Sequence, residues 1–461
     1  MTRLVSLATC ALIVTALSFG WPGAGNSFLD GSSAWASGRD DADDGPDLDD
    51  YDNSGPGNGD WEPGDDDDYD SSGHGGGDDF DDQPDDDSNS GPGGGGDDGR
   101  DEHEASRNIR GADYDQAQLI EHVLYSIEYD EHWGEYLPHE VVLVGHAEDV
   151  RTARRLGFRR LSTRRLTSGG VMVRLRIPSR TPIPEALAIL RHAAPQALVT
   201  HNSIYRSSQS SSATFASRRS RAPARLQGAL GIIDTGVDPN ALPVSNALLS
   251  QRAFAGPRSV ARTHGSAVAA IAVQNGAHVH VADVFGESTD GALAASAERI
   301  AAALDWMIAN RVAVVNISVQ GPSNAILEEM VRRAVDRGHI IVAAAGNRGP
   351  AARPTFPGAF DGVLAITAID AEGQPYIRAN RGDYIDFAAF GVDVPVQLQN
   401  DAMHVTGTSF AAPVIAARVA KDLHEPSPTR AIAIIADLQR RAHDLGDPGH
   451  DNIFGWGALR D

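Results

Sequence analysis

The sequence predicts an α/β fold for its C-terminal half, a parallel sheet with helices on both faces. A small α+β domain and a disordered acidic segment precede it. Three observations predict this. From Leu230 onward, apolar runs of strand length alternate with helical segments, as in a parallel sheet covered on both sides. Residues 141–205 read as strand, helix, strand, strand, helix, strand, the ferredoxin-like order. Between Asp40 and Glu104 stand 27 acidic residues against Arg100 alone, a local net charge of −26 within a total of −24. The other 396 residues therefore sum to +2, which gives no general reason to expect nucleic-acid binding.

Met1 to Phe19 carries one positive charge, Arg3, and a mainly apolar run through Leu4, Val5, Leu7, Leu12, Ile13, Val14 and Leu17. It is too short for a typical membrane span. Ala34-Trp35-Ala36 supplies the small-x-small pattern of a signal cleavage site. Residues 1–36 are therefore expected to be a signal peptide. The protein is expected to be exported, to the medium or a periplasm, with no stable membrane insertion after cleavage. Cys10, the only cysteine, would leave with the signal, so no disulfide or thiol chemistry is expected.

Residues 37–112 are mostly Asp, Gly, Ser and Pro. Such a chain cannot bury enough apolar surface to offset its ordering entropy, so disorder is expected. Asp50-Tyr51-Asp52-Asn53-Ser54-Gly55 recurs as Asp68-Tyr69-Asp70-Ser71-Ser72-Gly73, a low-complexity repeat. Dense carboxylates can hold calcium weakly, but neither a full EF-hand loop nor a full glycine-rich nonapeptide is present. A solvated spacer is the expectation.

Residues 113–205 form the predicted small domain. An amphipathic stretch (Leu119, Ile120, Val123, Leu124, Ile127) leads into a strand at Val141–Val144 and a helix over Glu148–Leu156. Strands at Phe158–Leu166 and Val171–Ile177, a helix near Pro184–Arg191 and a strand at Leu198–Tyr205 complete it. Residues 206–228 are Ser-rich and then Arg-rich, with almost nothing to bury. That is where proteolytic cutting is expected.

Three motifs carry the chemistry of residues 229–461. Gly231-Ile232-Ile233-Asp234-Thr235-Gly236 is an apolar strand running into a turn, which puts Asp234 at a strand's carboxyl end, where α/β sites form. Thr263-His264-Gly265-Ser266-Ala267 starts a helix with small residues after the histidine, allowing close approach to the sheet. Gly407-Thr408-Ser409-Phe410-Ala411-Ala412-Pro413 puts a serine at the mouth of another helix, with Pro413 expected within the tolerance of the first turn. Each motif alone has a plain alternative: a turn aspartate, a core histidine, a helix-capping serine. Asp, His and Ser in that chain order, each at the end of an element, is the order of the subtilisin triad.

On these motifs the sequence resembles the subtilisin-like serine endopeptidases from about Leu230 to its end. Ile341-Val342-Ala343-Ala344-Ala345-Gly346-Asn347, Phe356-Pro357-Gly358 and Gly455-Trp456-Gly457 look like further landmarks of that family. The resemblance implies Asp234, His264 and Ser409 as the catalytic triad and Asn347 as the oxyanion donor. It also implies that Ser318-Val319-Gln320-Gly321 and Ala344-Ala345-Gly346 border the bound substrate. The small domain resembles the family's propeptides, which implies an intramolecular inhibitor and folding aid removed by self-cleavage. Polypeptide substrates, no required cofactor or metal, and a monomer are the remaining expectations. Three positions depart from the family: Gln320 and Thr263 where glycine is usual, and Phe390 where proline is usual. The domain from Ala229 is also short, with no obvious calcium-binding insertion, so stability independent of calcium is expected. The rival reading is a non-catalytic surface protein whose acidic stalk binds calcium or a partner. Against it, all four catalytic positions are intact, which a binding module has no chemical need to keep.

Overall fold

The structure, a computed structural model, describes residues 126–207, 214–215, 225–289, 291–398 and 402–459. The signal and acidic segments, most of the 119–127 stretch and most of the 206–228 linker lie outside the described residues.

The small domain runs β1 (Glu128–Asp130), β2 (Gly134–Gly145), α1 (Ala147–Arg155), β3 (Arg159–Arg165), β4 (Val171–Arg176), α2 (Ile183–Ala193) and β5 (Leu198–Ser207). Its strands pair antiparallel in the order β5-β2-β4-β3, with β1 hairpinned onto β2. Helix α1 starts where the Asp149 carboxylate accepts from the His146 backbone N–H at 2.7 Å, half of a capping box. Pro182 and Pro184 open α2, whose first-turn amides need no intrahelical partner. Val141, Leu143, Val173, Leu175 and Val199 alternate along the strands, so one sheet face packs on Leu187 and Leu190 of α2. The opposite face sets Val142, Val144 and Met172 into a core shared with the large domain.

After β6 (Thr214–Phe215), the large domain continues with β7 (Ala229–Asp234), β8 (Leu248–Ala253), α3 (Thr263–Gln274), β9 (His278–Asp283), β10 (Phe285–Glu287), β11 (Leu293–Ser296) and α4 (Ala297–Ala309). Then come β12 (Val314–Ile317), β13 (Val319–Gln320), α5 (Ala325–Asp336), β14 (Ile340–Ala344), β15 (Val363–Ile369), β16 (Ile385–Phe390), β17 (Val394–Gln397), β18 (Ala402–Val405), α6 (Thr408–Asp422) and α7 (Pro428–Arg441). Seven strands make one parallel sheet in the order β16-β15-β14-β12-β7-β9-β8. Continuous apolar runs such as Val314-Val315 and Ile340-Ile341-Val342 are what a strand buried on both faces requires. Successive residues point to opposite sides. Ile232 and Val342 enter the core under α3 and α6, whereas Ile233 and Ile341 enter the core under α4 and α5. The expected parallel sheet covered on both faces is the observed architecture.

Strand β5 links the two domains. Its first part pairs with β2, while Ile204 and Tyr205 pair with Ser296 and Ala295 of β11, and Arg206 and Ser207 pair with Gln320 and Val319 of β13. Two helix starts face it. Asn324 caps α5 by accepting from Ile326 and Leu327 N–H groups, and its amide donates to His201 O (3.0 Å) and Ser203 Oγ (2.9 Å). Glu298 N–H, in the first turn of α4, donates to Asn202 Oδ1 at 3.2 Å. One side chain thus satisfies amides of the large domain and acceptors of the small one.

Candidate active site

Parallel strands bring the site together because each ends at the same edge of the sheet. Asp234 ends β7, fully buried, and its Oδ1 accepts from the Thr235 backbone N–H at 2.6 Å. His264 is the second residue of α3. Its Nδ1 lies 2.8 Å from Asp234 Oδ1 and its Nε2 3.1 Å from Ser409 Oγ. Thirty residues separate the first pair in sequence and 145 the second, so only the fold makes them neighbours. The position of α3 depends on Gly265. A Cβ there would stand 2.3 Å from Thr235 O and 2.6 Å from its hydroxyl, so a glycine is what lets the histidine-bearing turn seat against the strand carrying Asp234. Gly265 N–H donates to that Thr235 Oγ1 at 2.9 Å, and the Phe410 ring packs 5.2 Å from the imidazole.

Ser409 is the second residue of α6 and is buried. Pro413 lies beyond the first turn, contrary to the sequence expectation, and in a regular helix its missing N–H would have bonded Ser409 O. The Ser318 hydroxyl takes that place, donating to Ser409 O at 3.1 Å, and is itself held by Asn316 Nδ2 at 2.9 Å. A proline therefore makes a carbonyl available at the serine, and the end of β12 supplies its donor.

Asn347 follows β14. Its Oδ1 accepts from Thr408 N–H (3.1 Å) and Thr408 Oγ1 (3.0 Å), while that hydroxyl accepts from Gly346 N–H at 3.1 Å. The carbonyl end of the Asn347 amide is thereby tied to the start of α6, which turns its NH2 end to the other side.

Sequence reasoning did not find two residues here. Thr408 was visible only as the neighbour of Ser409. Asp283 closes β9 in register with Asp234 on the adjacent strand, and its carboxylate accepts from Val260 N–H (2.8 Å) and Phe285 N–H (3.3 Å). Burial pushes the Asp283 carboxyl up to about 6, the two backbone donors pull it back, and the nearby Asp234 charge adds to the rise. A carboxylate ending an apolar strand next to the strand of Asp234 was the available signal.

The family model for the subtilase family matches residues 228–457. The chain belongs to the subtilase family. The minor extracellular protease Epr of Bacillus subtilis is 32% identical over 160 residues, 34% of this chain and 25% of that protein. Subtilisin Savinase of Lederbergia lenta is 29% identical over 196 residues, 42% of this chain and 70% of that protein. Fervidolysin from Fervidobacterium pennivorans, a keratinolytic enzyme related to subtilisin, superposes with a TM-score of 0.59 at 16% identity, covering 73% of this chain and 62% of that one. That last likeness speaks for the fold alone. The match to Epr spans only a quarter of that relative's own length.

One of the two segments expected to border a substrate, Ser318-Val319-Gln320-Gly321, is already engaged by β5. Val319 and Gln320 pair antiparallel with Ser207 and Arg206, and Tyr205 is buried, its phenol donating to Pro322 O at 2.7 Å. Gly321 makes room for that ring: a Cβ would stand 2.5 Å from Tyr205 Cδ1. Burying such a side chain contributes about 2–3 kcal/mol. Arg206 donates to Leu293 O and forks onto the Glu135 carboxylate, with its closest contacts at 2.9 Å. The end of β5 thus lies as an extended strand between β11 and β13.

Proposed function

We propose that this protein is an exported, monomeric serine endopeptidase that hydrolyses polypeptides through Asp234, His264 and Ser409, and that its small domain is its own inhibitor and folding aid until it is cut away. The observation that carries the reading is the pair of hydrogen-bond distances at His264, 2.8 Å to Asp234 and 3.1 Å to Ser409. Membership of the subtilase family supports the reaction class, and the name of the extracellular relative supports export. Among the described residues no helix is long and apolar enough to cross a membrane.

With Nδ1–H donating to Asp234, the neutral imidazole presents Nε2 to the Ser409 hydroxyl. As Oγ attacks a peptide carbonyl carbon, its proton passes to Nε2, and the buried Asp234 carboxylate stabilises the imidazolium. The carbonyl oxygen becomes an oxyanion between the Asn347 NH2 and the Ser409 backbone N–H, at a helix start whose dipole favours negative charge. The imidazolium then protonates the leaving amine, and an acyl-enzyme remains on Ser409. Water, deprotonated by His264, attacks that ester, and Ser409 leaves with its proton restored. Every step uses side-chain and backbone groups, so no cofactor is required.

The pairing of Arg206 and Ser207 with the wall of the cleft supports self-inhibition, because an incoming peptide needs the same backbone partners. The test is mass spectrometry of purified wild type beside Ser409→Ala, with hydrolysis of an unfolded protein followed in parallel. Wild type is expected to lose the residues before about Gly228 and to digest the substrate, while Ser409→Ala does neither. A Ser409→Ala protein cut as completely as wild type refutes self-processing. Wild type that stays inert after limited trypsin removes the small domain refutes the endopeptidase reading in favour of a binding protein.

A further inference from the structure

The walls of the cleft carry one side chain that subtilases usually lack. Strands β12 and β14 are parallel neighbours, with Ile317 opposite Ala343. Beyond them run residues 318–321 on one side and 344–347 on the other, both tied to the start of α6: the Ser318 hydroxyl donates to Ser409 O and Asn347 Oδ1 accepts from Thr408 N–H. A substrate strand paired antiparallel with β13, as Arg206 and Ser207 are, would bring the residue whose carbonyl is attacked beside Asn347, the proposed oxyanion donor, and so beside whatever Asn347 touches.

Both segments are pinned by further contacts. Gln320 is buried, and its Oε1 accepts from the Asn347 backbone N–H at 3.3 Å, so the glutamine spans from one wall to the other. At the far end Gly321 and Phe356 exchange two backbone hydrogen bonds of 3.0 Å each. From the side of Ala345, the Thr355 hydroxyl donates to Ala345 O at 3.0 Å and the Tyr384 hydroxyl to the same oxygen at 2.7 Å. A long or aromatic side chain entering here would have to displace Gln320 and break its bond to the residue that holds the oxyanion.

We propose that Gln320 sets the specificity of this enzyme, restricting the residue on the acyl side of the cut to Ser, Ala or Gly. This rests on the endopeptidase reading above. A pocket discriminates each extra methylene by about 10- to 200-fold when it has no room for it, so a Phe in place of Ala is disfavoured by tenfold at least.

The test compares the full-length wild type, Gln320→Gly and Gln320→Met, each freed of its small domain by its own processing or by limited trypsin. The substrates are peptides that differ only in the residue before the cut: Ser, Ala, Leu or Phe. Wild type is expected to favour Ser and Ala over Phe by tenfold or more in kcat/KM. Gln320→Gly should move that ratio at least tenfold toward Phe. Gln320→Met keeps the bulk without the acceptor and should retain the small-residue preference. The inference is overturned if wild type prefers Leu or Phe, or if Gln320→Gly slows all four substrates equally. The second result would make Gln320 a support for Asn347 rather than a selector. A fluorophosphonate probe of Ser409 separates the two failures. Labelled enzyme with the wrong preference sinks this inference alone, whereas absence of labelling in all three proteins sinks the endopeptidase reading and this inference with it.

Discussion

Replacing Asn347 tests the proposed oxyanion site, and the structure separates two consequences of the change. The amide has two working ends. Its NH2 is assigned to the oxyanion, and losing one such donor typically costs ~3–4 kcal/mol of transition-state stabilisation, or roughly 10²- to 10³-fold in kcat. Its Oδ1 holds the N–H and hydroxyl of Thr408 at 3.1 and 3.0 Å in a buried setting. Leaving a buried donor without an acceptor costs about 1–3 kcal/mol, so Asn347→Ala, which orphans the Thr408 N–H, should also destabilise the fold by about that much. Asn347→Asp keeps the acceptor for Thr408 but offers no donor and places a negative charge beside the developing oxyanion. It should lose at least as much kcat as Asn347→Ala while retaining more stability. The assay pairs kcat on a peptide substrate with urea unfolding of each variant in a Ser409→Ala background. An Asn347→Ala enzyme within tenfold of wild-type kcat would refute the oxyanion assignment. Equal stability of Asn347→Ala and wild type would refute the structural role of its carbonyl end.

Two further outcomes follow from the packing around Asp234. Gly265→Ala puts a Cβ 2.3 Å from Thr235 O, so α3 must shift and carry His264 with it; a displacement near 1 Å costs about 10²-fold in kcat, and an alanine variant with unchanged kcat would show that the contact is not limiting. Asp283 has a folded-state value of about 6 against an ordinary 3.8. Between about pH 4 and 6 the folded protein therefore binds more protons than the unfolded chain, and stability falls as pH rises through that window, by up to ~3 kcal/mol. Asp283→Asn removes this slope, although the loss of one acceptor lowers its stability at every pH. Urea unfolding across pH 4–7 in the Ser409→Ala background checks it, and parallel curves for the two proteins would refute the assignment.

Much of the site was legible in the sequence because its residues sit at element ends that have strong local signatures. An apolar strand running into Asp234, small residues after His264 and a glycine before Thr408-Ser409 each describe a local geometry. Their order then narrows the chemistry. The role of Pro413 was misread for a local reason. Its distance from the helix start depends on where α6 begins, and the consequence depends on Ser318, 91 residues away in sequence. Asp283 was missed because a strand-terminal aspartate acquires its meaning only from the strand beside it.

The sequence by itself determined the parallel α/β class, since hydrophobic periodicity and turn chemistry act over a few residues, while its motifs pointed to Asp234, His264 and Ser409 and its family resemblance to Asn347. Only the tertiary structure decided that Gln320 reaches Asn347, that β5 extends past Tyr205 to pair with β13, and that Ser318 satisfies the carbonyl left by Pro413. These are contacts between segments tens to more than a hundred residues apart. They are set by strand register and packing, which no local stretch of sequence encodes.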